Sequence, residues 1–437
     1  MWSYHPELLS VPVPRYTSYP TAAEFREDVG PVDLISAVEG TSGDVSLYVH
    51  IPFCEKICWY CGCNTSAANR TERVARYLDA LHNEIALIGA RLPGTARVTQ
   101  IAFGGGSPNS IKAVDFVRLV DALTVQFRVA HPAMSIEVDP RSLRGEWAAV
   151  IRAVGIVRAS LGVQTFSPAL QRAIGRLQPE ETIREVVTSL RGAGVRSLNF
   201  DLMYGLPGQT LQHVEDSLRR SIEFGADRLA FFGYAHVPHL IPRQGRIDAA
   251  LLPDMRARFD MAAFGHDMLV AEGYVAVGFD HFARPGDPLA QAAIAGRLRR
   301  NFQGFTEDQA ATVIGFGASA ISSFPELLVQ NEKNTGRYGM MLSQDRLPAV
   351  RGVRRSAEDR RLGALIEALL CRGRGRVTLP LDRPTLAALM PYVAAGLCTV
   401  DGDDLVLSAD CQPYARSIAA HFDPYRSDSL RRFSSAI

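Results

Sequence analysis

A chain of 437 residues has room for one large domain and a smaller companion, and 47% hydrophobic residues supply ample core material. A formal charge of +1, with 21% charged residues and no run of like charge, gives no electrostatic case for nucleic acid. No apolar stretch approaches the roughly 18 residues that read as a membrane span, and MWSYHPELLSVPVPRYTSYP carries no signal-peptide core. The expected setting is the cytoplasm, with a monomeric chain and neither nucleic acid nor membrane as partner.

Residues 1–44 read as an N-terminal arm. From residue 45, short apolar or β-branched runs alternate with stretches of helical period. The strand-like runs are VSLYVHI (45–51), VTQIAF (98–103), MSIEVDP (134–140), RASLGVQTF (158–166), SLNFDLMYG (197–205) and RLAFFGYAHV (228–237). Helical period marks 73–92, 113–127 and 181–194, the last closing on Gly-Ala-Gly, a stop signal. Alternation repeated this way predicts an α/β fold with a parallel sheet and crossover helices, either doubly wound or bent into a barrel-like arc. Ligands of such sheets bind beyond the C-terminal strand ends, and here those ends carry cysteines, glycines, an acid, Gln164 and Asp201. After about residue 240 the rhythm weakens. A helix is predicted at 254–272, followed by YVAVGFDHFARPGDP and RLRRNFQGFT, which read as loop-rich material completing the site. The segment 351–437 is predicted to be a small, mostly helical C-terminal domain with one strand pair, LCTV and LVLS, around an Asp-Gly turn.

The densest chemistry lies in HIPFCEKICWYCGCNT (50–65), which holds Cys54, Cys58, Cys61 and Cys63, while Cys371, Cys398 and Cys411 are scattered. In a reducing compartment such a cluster points to metal or redox chemistry. Structural zinc commonly takes two separated cysteine pairs, and no second pair exists here. Soft thiolates also hold iron–sulfur clusters. Cys54, Cys58 and Cys61, read as C-x3-C-x2-C, give three anchors for a four-iron cube and leave one iron for another ligand.

That motif, in a loop after the first strand of a βα repeat, resembles the radical S-adenosylmethionine (SAM) superfamily. The resemblance implies a partial (β/α)6 barrel-like parallel sheet, at residues 45–350, and a [4Fe-4S] cluster whose open iron is chelated by SAM. Reductive cleavage of SAM would yield a 5′-deoxyadenosyl radical, with the electron coming from an unidentified donor. A longer set of segments is similar to the oxygen-independent coproporphyrinogen III oxidases. They are PRYTSYPTAAEF (14–25), LYVHIPFCEKICWYCGCNT (47–65), SIEVDPRSL (135–143), LGVQTF (161–166), NFDLMYGLPGQT (199–210), YAHVPH (234–239), GFDHFARP (278–285), NFQGFT (301–306) and GFGASAIS (315–322). This second resemblance implies removal of a β-hydrogen from two propionates of coproporphyrinogen III and loss of carbon dioxide and an electron from each. Two vinyl groups result, giving protoporphyrinogen IX.

It also implies two SAM molecules beside one cluster. Tyr48, Gly105, Glu137 and Ile321 would hold the SAM on the cluster, with Tyr60 at its adenine. Gly106, Ser107, Gln164, Arg176, Asp201 and Ala235 would line the second. Phe302 and Gln303 correspond to an active-site loop of the family. Cys63 is expected near the chemistry without ligating iron, since a fourth thiolate would block SAM; His50 reads equally as a core histidine or as a support of the cysteine loop. Arg15, with Arg284, Arg299 or Arg300, is expected to bind substrate carboxylates. The sequence departs from the family pattern at Ser107 and Asn109 in GGGSPN and at Leu177. Competing readings are a radical SAM haem chaperone or haem-degrading relative, a non-catalytic iron–sulfur or zinc protein, and a nucleic-acid-modifying radical enzyme. The PRYTSYP arm, CGCNT and NFQGFT favour the oxidase.

Overall fold

A computed structural model describes residues 2–68, 70–129, 131–377 and 381–426. Its centre is β1 (Gly43–Ile51), buried from Val45 onward except at Tyr48, the near-continuous apolar run of a strand covered on both faces. Two short strands follow, β2 (Phe53–Cys54) and β3 (Ser66–Ala67), and then the wall strands β4 (Ala96–Gly105), β5 (Ala133–Val138), β6 (Ile156–Gln164), β7 (Ser197–Tyr204) and β8 (Arg228–Gly233). The next are β9 (Val275–Val277), β10 (His281–Ala283), β11 (Arg299–Asn301), β12 (Gly304–Thr306), β13 (Thr312–Phe316), β14 (Ile321–Phe324), β15 (Leu327–Asn331) and β16 (Ala349–Arg354).

The main sheet has the order β16-β15-β14-β13-β1-β4-β5-β6-β7-β8-β10-β9. The six strands read from the sequence are its parallel β1 and β4–β8. A further parallel strand, β13, pairs with β1 and places Gly315 opposite Tyr48. It escaped the periodicity because it is only five residues long, wholly buried and without a crossover helix after it. Antiparallel strands extend both flanks, β14–β16 beyond β13 and β10–β9 beyond β8. Strands β9–β12, each three residues long, lie where the sequence reads as loop; a run that short carries no usable period.

The predicted helices are present as Thr71–Gly89, Ala113–Gln126, Glu180–Gly192 and Met255–Ala271. The third buries Ile183, Val186, Val187 and Leu190, one apolar stripe on a helix with an otherwise polar face. Its chain turns off at Gly194, with φ +98, as the Gly-Ala-Gly signal requires. In the C-terminal part, LCTV and LVLS pair as the hairpin Cys398–Asp401 and Asp404–Leu407, and Arg374–Arg376 adds a third strand. The arm is stitched to this region: Tyr414 Oη donates to Ser3 O at 2.7 Å, and Tyr16 Oη to Asp423 Oδ2 at 3.0 Å. Those bonds carry Arg15 across the C-terminal ends of the strands. No helix among the described residues is long and apolar enough to cross a membrane.

Candidate active site

The chain leaves β1 at its C-terminal end, and pairing of β2 with β3 closes the cysteine segment into a loop. Trp59 N donates to Ile174 O at 3.1 Å, and the indole lies so close to Gly175 that a Cβ there would stand 2.7 Å from the ring. Tyr60 O accepts from Gln244 Nε2 at 3.0 Å; the same amide donates to Ala235 O, and its oxygen takes Val237 N. Gln244 therefore fastens the cysteine loop to the segment after β8.

All four cysteines of the loop line a cavity of about 510 Å³. Cys58 Sγ accepts from Arg176 at 3.2 Å and Arg141 at 3.3 Å, two guanidiniums that fix the sulfur's position. Asp139 balances them, at 2.6 Å from Arg141 and 3.3 Å from Arg176. Burial pushes the Cys54 thiol up to about 12. Cys61 is drawn down to about 6, first by its hydrogen bond with Cys63, whose own thiol moves up by the same contact. Among the described residues no three His, Cys, Asp or Glu side chains converge on a point that one ion could occupy. A cube takes one thiolate per iron, so its ligands stand around a cavity rather than about a point. The donor set fits that arrangement.

Opposite the cysteines runs the glycine loop after β4. A Cβ on Gly104 would stand 2.8 Å from the Glu137 carboxylate, and one on Gly106 would stand 2.5 Å from Phe53 O. Gly105 adopts φ +111 and donates its N–H to Glu137 Oε2 at 3.0 Å. Burial pushes Glu137 up to about 7, against the pull of that N–H. His50 Nε2 meets Asn64 O at 3.2 Å and Nδ1 meets Tyr48 Oη at 3.2 Å. Burial holds the ring neutral, at about 4. A carbonyl only accepts, so Nε2 carries the proton and Tyr48 Oη donates to Nδ1. Tyr48 thus turns only lone pairs to its surroundings, and His50 is a support of the loop rather than a mere core residue.

The residues expected around a second SAM divide into two sets. Gly106, Gln164, Arg176, Asp201 and Ala235 line the same cavity as the cysteines and Tyr60. Gln164 has φ +68 and a buried Oε1 without a hydrogen-bond partner, an orphan that a polar ligand would satisfy. Asp201, moved upward by burial, accepts from Asn199 at 2.7 Å and Ser160 at 3.2 Å. Arg176 is already held by Cys58, Asp139 and Gly162 O. Ser107 of this set, and Ile321, expected at the SAM on the cluster, do not line the cavity. Ser107 is buried with its hydroxyl donating to Asn109 Oδ1 at 2.6 Å, and Ile321 lies on β14. Leu177 is exposed.

A second chamber, of about 480 Å³, fills the interior of the arc and shares Arg15, Glu137, Ser160, Asp201 and Phe232 with the first. Phe302 and Gln303, at the tip of the β11–β12 hairpin, line it. Its far end is closed by Glu307, paired with Arg158 and Arg228, and by Asp308, which accepts from Ser46. Of the four arginines considered for substrate, Arg15 and Arg300 reach this chamber. Arg15 donates to Gly233 O, and Arg300 to Tyr16 O and Arg15 O. Arg299 is instead paired with Glu367, and Arg284 covers the Tyr274 ring and donates to Glu272 O.

The Asp139–Arg141 clamp on Cys58 and the Gln244 brace were not anticipated. The first was visible as the i, i+2 acid and base of EVDPRSL; Gln244 left no local signal. Asn109, a departure from the family pattern, also has a place. Its Nδ2 donates to Asp139 O and Ser142 Oγ, and its Oδ1 accepts from Asp139 N and Ser107 Oγ, all buried. Asn109→Ala strands those groups and should destabilise the apoprotein by about 3 kcal/mol, read from urea unfolding. A change under about 0.5 kcal/mol would mean the brace is dispensable.

Residues 48–220 match the family model described as the radical SAM superfamily. The chain is 39% identical to the oxygen-independent coproporphyrinogen III oxidase of Bradyrhizobium diazoefficiens, an alignment covering 97% of each. With the enzyme of the same name from Escherichia coli it shares 36% identity over 96% of this chain and 94% of the other. The solved structure of the Escherichia coli coproporphyrinogen III oxidase, described as a radical SAM enzyme, superposes with a TM-score of 0.91 at 35% identity, covering 97% of this chain and 99% of that one.

Proposed function

This chain belongs to the oxygen-independent coproporphyrinogen III oxidases of the radical SAM superfamily, and on that premise we propose the role of each part of its site in converting two propionates of coproporphyrinogen III to vinyl groups. When bound, the [4Fe-4S] cluster and SAM supply a radical able to remove hydrogen from unactivated carbon. Cys54, Cys58 and Cys61 would hold the cluster, with Arg141 and Arg176 hydrogen-bonded to the Cys58 sulfur. Cys63, exposed at the rim, is left off the iron. Glu137, with Gly105 and Gly106, forms a cradle for the methionyl end of SAM: the glycines admit close approach and the carboxylate accepts from an ammonium. Tyr48 offers lone pairs beside them, oriented by His50.

Gln164, Asp201 and Ala235 are positioned for a second SAM, Asp201 toward a ribose diol or an ammonium. Arg176, already committed to Cys58 and Asp139, is better suited to the cluster than to a carboxylate of that second molecule. Arg15 and Arg300, which both donate to backbone carbonyls, would take substrate propionates at the chamber mouth. Phe302 and Gln303 would wall the macrocycle. An external donor would supply the electron.

One observation carries this reading: a cavity walled by the three motif cysteines opens through Glu137, Ser160 and Asp201 into a chamber lined by Arg15 and Arg300. The test is anaerobic turnover of reconstituted protein with SAM, reductant and coproporphyrinogen III. Protoporphyrinogen IX with 5′-deoxyadenosine is the expected outcome, and bound haem without decarboxylation would overturn it. Arg15→Ala should raise the KM for coproporphyrinogen about tenfold, with substrate-independent SAM cleavage unchanged. Arg284→Ala, remote from the chamber, should leave that KM at the wild-type value.

A further inference from the structure

Asn199 has no role above, yet it lines the inner chamber together with Asp201 and Ser160. Along β7, Asn199 and Asp201 are half-buried on the chamber side, while Leu198, Phe200 and Leu202 between and beside them are buried. On the adjacent β6, Ser160 is in register with Asn199, and Gly162 with Asp201. Three polar side chains therefore close on one another. Asn199 Nδ2 donates to Asp201 Oδ1 at 2.7 Å and to Ser160 Oγ at 2.8 Å, and Ser160 Oγ donates to Asp201 Oδ2 at 3.2 Å.

The reverse orientation of the amide would set its oxygen against the carboxylate, so these bonds fix which end is which. That orientation has a cost. With both amide hydrogens spent, the buried Asn199 Oδ1 has no hydrogen-bond partner among the described residues. Packing alone gains nothing from such an arrangement, whereas Asp201 gains a donor on each oxygen. Asp201 also lines both cavities. Burial moves its carboxyl upward, and the Asn199 amide leads the pull against it, followed by Ser160. The charged or titratable groups around it are Arg176 and, when charged, His281 on β10, which favour the carboxylate, and Glu137 on β5, which Asp201 pushes up.

We propose that Asn199, supported by Ser160, is a positioning residue that aims Asp201 and keeps it an acceptor for a hydroxyl or ammonium of the second SAM. Without the amide the carboxylate is free to turn. Being buried, it also takes up a proton at a higher pH than before, and a carboxyl that carries a proton turns a donor toward the ligand's donor. The resulting loss of affinity is therefore greatest at low pH and is reversed as rising pH ionises Asp201 again. This inference deepens the functional reading above and rests on Asp201 as a ligand of that second molecule.

The experiment counts SAM bound to the reconstituted holoenzyme by anaerobic equilibrium dialysis, without reductant, at about pH 7 and about pH 9. Wild type should bind two molecules per chain at both. Asn199→Leu keeps the branched shape but removes the donors. It should bind the first SAM as wild type does and the second about tenfold more weakly at the lower pH, the deficit shrinking below about threefold at the higher. Ser160→Ala removes the other donor, should show a smaller deficit with the same pH dependence, and serves if the first variant does not fold. Asp201→Asn has no carboxyl to titrate and should weaken the second SAM equally at both values. If Asp201→Asn is impaired while folded Asn199→Leu or its substitute binds as wild type, or is weakened by one factor at both values, the proposal is overturned and the oxidase reading stands. Two SAM bound undiminished by Asp201→Asn, or only one by wild type, defeats the reading of Asp201 as a ligand, and this inference with it.

Discussion

Cys58→Ala should leave the reconstituted protein with less than about one iron per chain, where wild type holds about four, and without measurable SAM cleavage. The sulfur is one of the three proposed anchors, and its loss also removes the acceptor shared by Arg141 and Arg176. Those two guanidiniums would then share Asp139 without the sulfur between them. Cys54→Ala and Cys61→Ala should behave likewise. Cys63→Ala is the informative contrast, because Cys63 sits exposed at the rim, hydrogen-bonded to Cys61. It should keep its iron, its sulfide and its visible absorbance. Iron and sulfide analysis of the four variants checks the set, and equal iron loss in Cys63→Ala would mean that four cysteines hold the metal.

The second large effect is expected from Gly105→Ala, through SAM rather than through the metal. An alanine there would hold φ +111 with its Cβ 2.5 Å from the His50 ring. The ring cannot yield readily, being fastened to Tyr48 on one side and Asn64 on the other. Backbone strain and overpacking together should cost about 2–5 kcal/mol. Any relief that comes from tilting the loop displaces the N–H that orients Glu137. The variant should retain its cluster, melt earlier and require about a hundredfold more SAM, read from the KM for deoxyadenosine release. Gly94→Ala, whose Cβ would meet nothing within 4 Å, is the control and should match wild type. A Gly105→Ala protein with unaltered SAM dependence would show that the cradle is not where SAM binds.

How far the sequence reached depends on the length scale of each signal. Strands β1 and β4–β8 alternate with helices long enough to repeat their period, so the parallel arc was legible. Strands β9–β13 are three to five residues long, and only their long-range pairing defines them. The cysteine spacing announced a cluster directly, whereas Asn109 appeared as an unexplained departure until its bonds to Asp139 and Ser142 were visible. Sequence could name four arginines as carboxylate ligands but not divide them. That division comes from β11, which sends Arg300 toward the chamber while its neighbour Arg299 pairs with Glu367. Ser107 shows the opposite limit of scale: the sequence places a hydroxyl in the glycine loop but not its direction, which Asn109, two residues away, sets by accepting from it.

The most direct trial of the account uses SAM carrying ¹⁵N on its methionyl amine and ¹⁷O on its carboxylate, bound to the reduced, reconstituted protein and examined by electron–nuclear double resonance. Hyperfine coupling of both labels to the cluster is predicted, because the proposed three-cysteine anchoring leaves one iron without a protein ligand. Absence of both couplings in a protein that binds SAM, with a fourth cysteine sulfur on the iron, would contradict it.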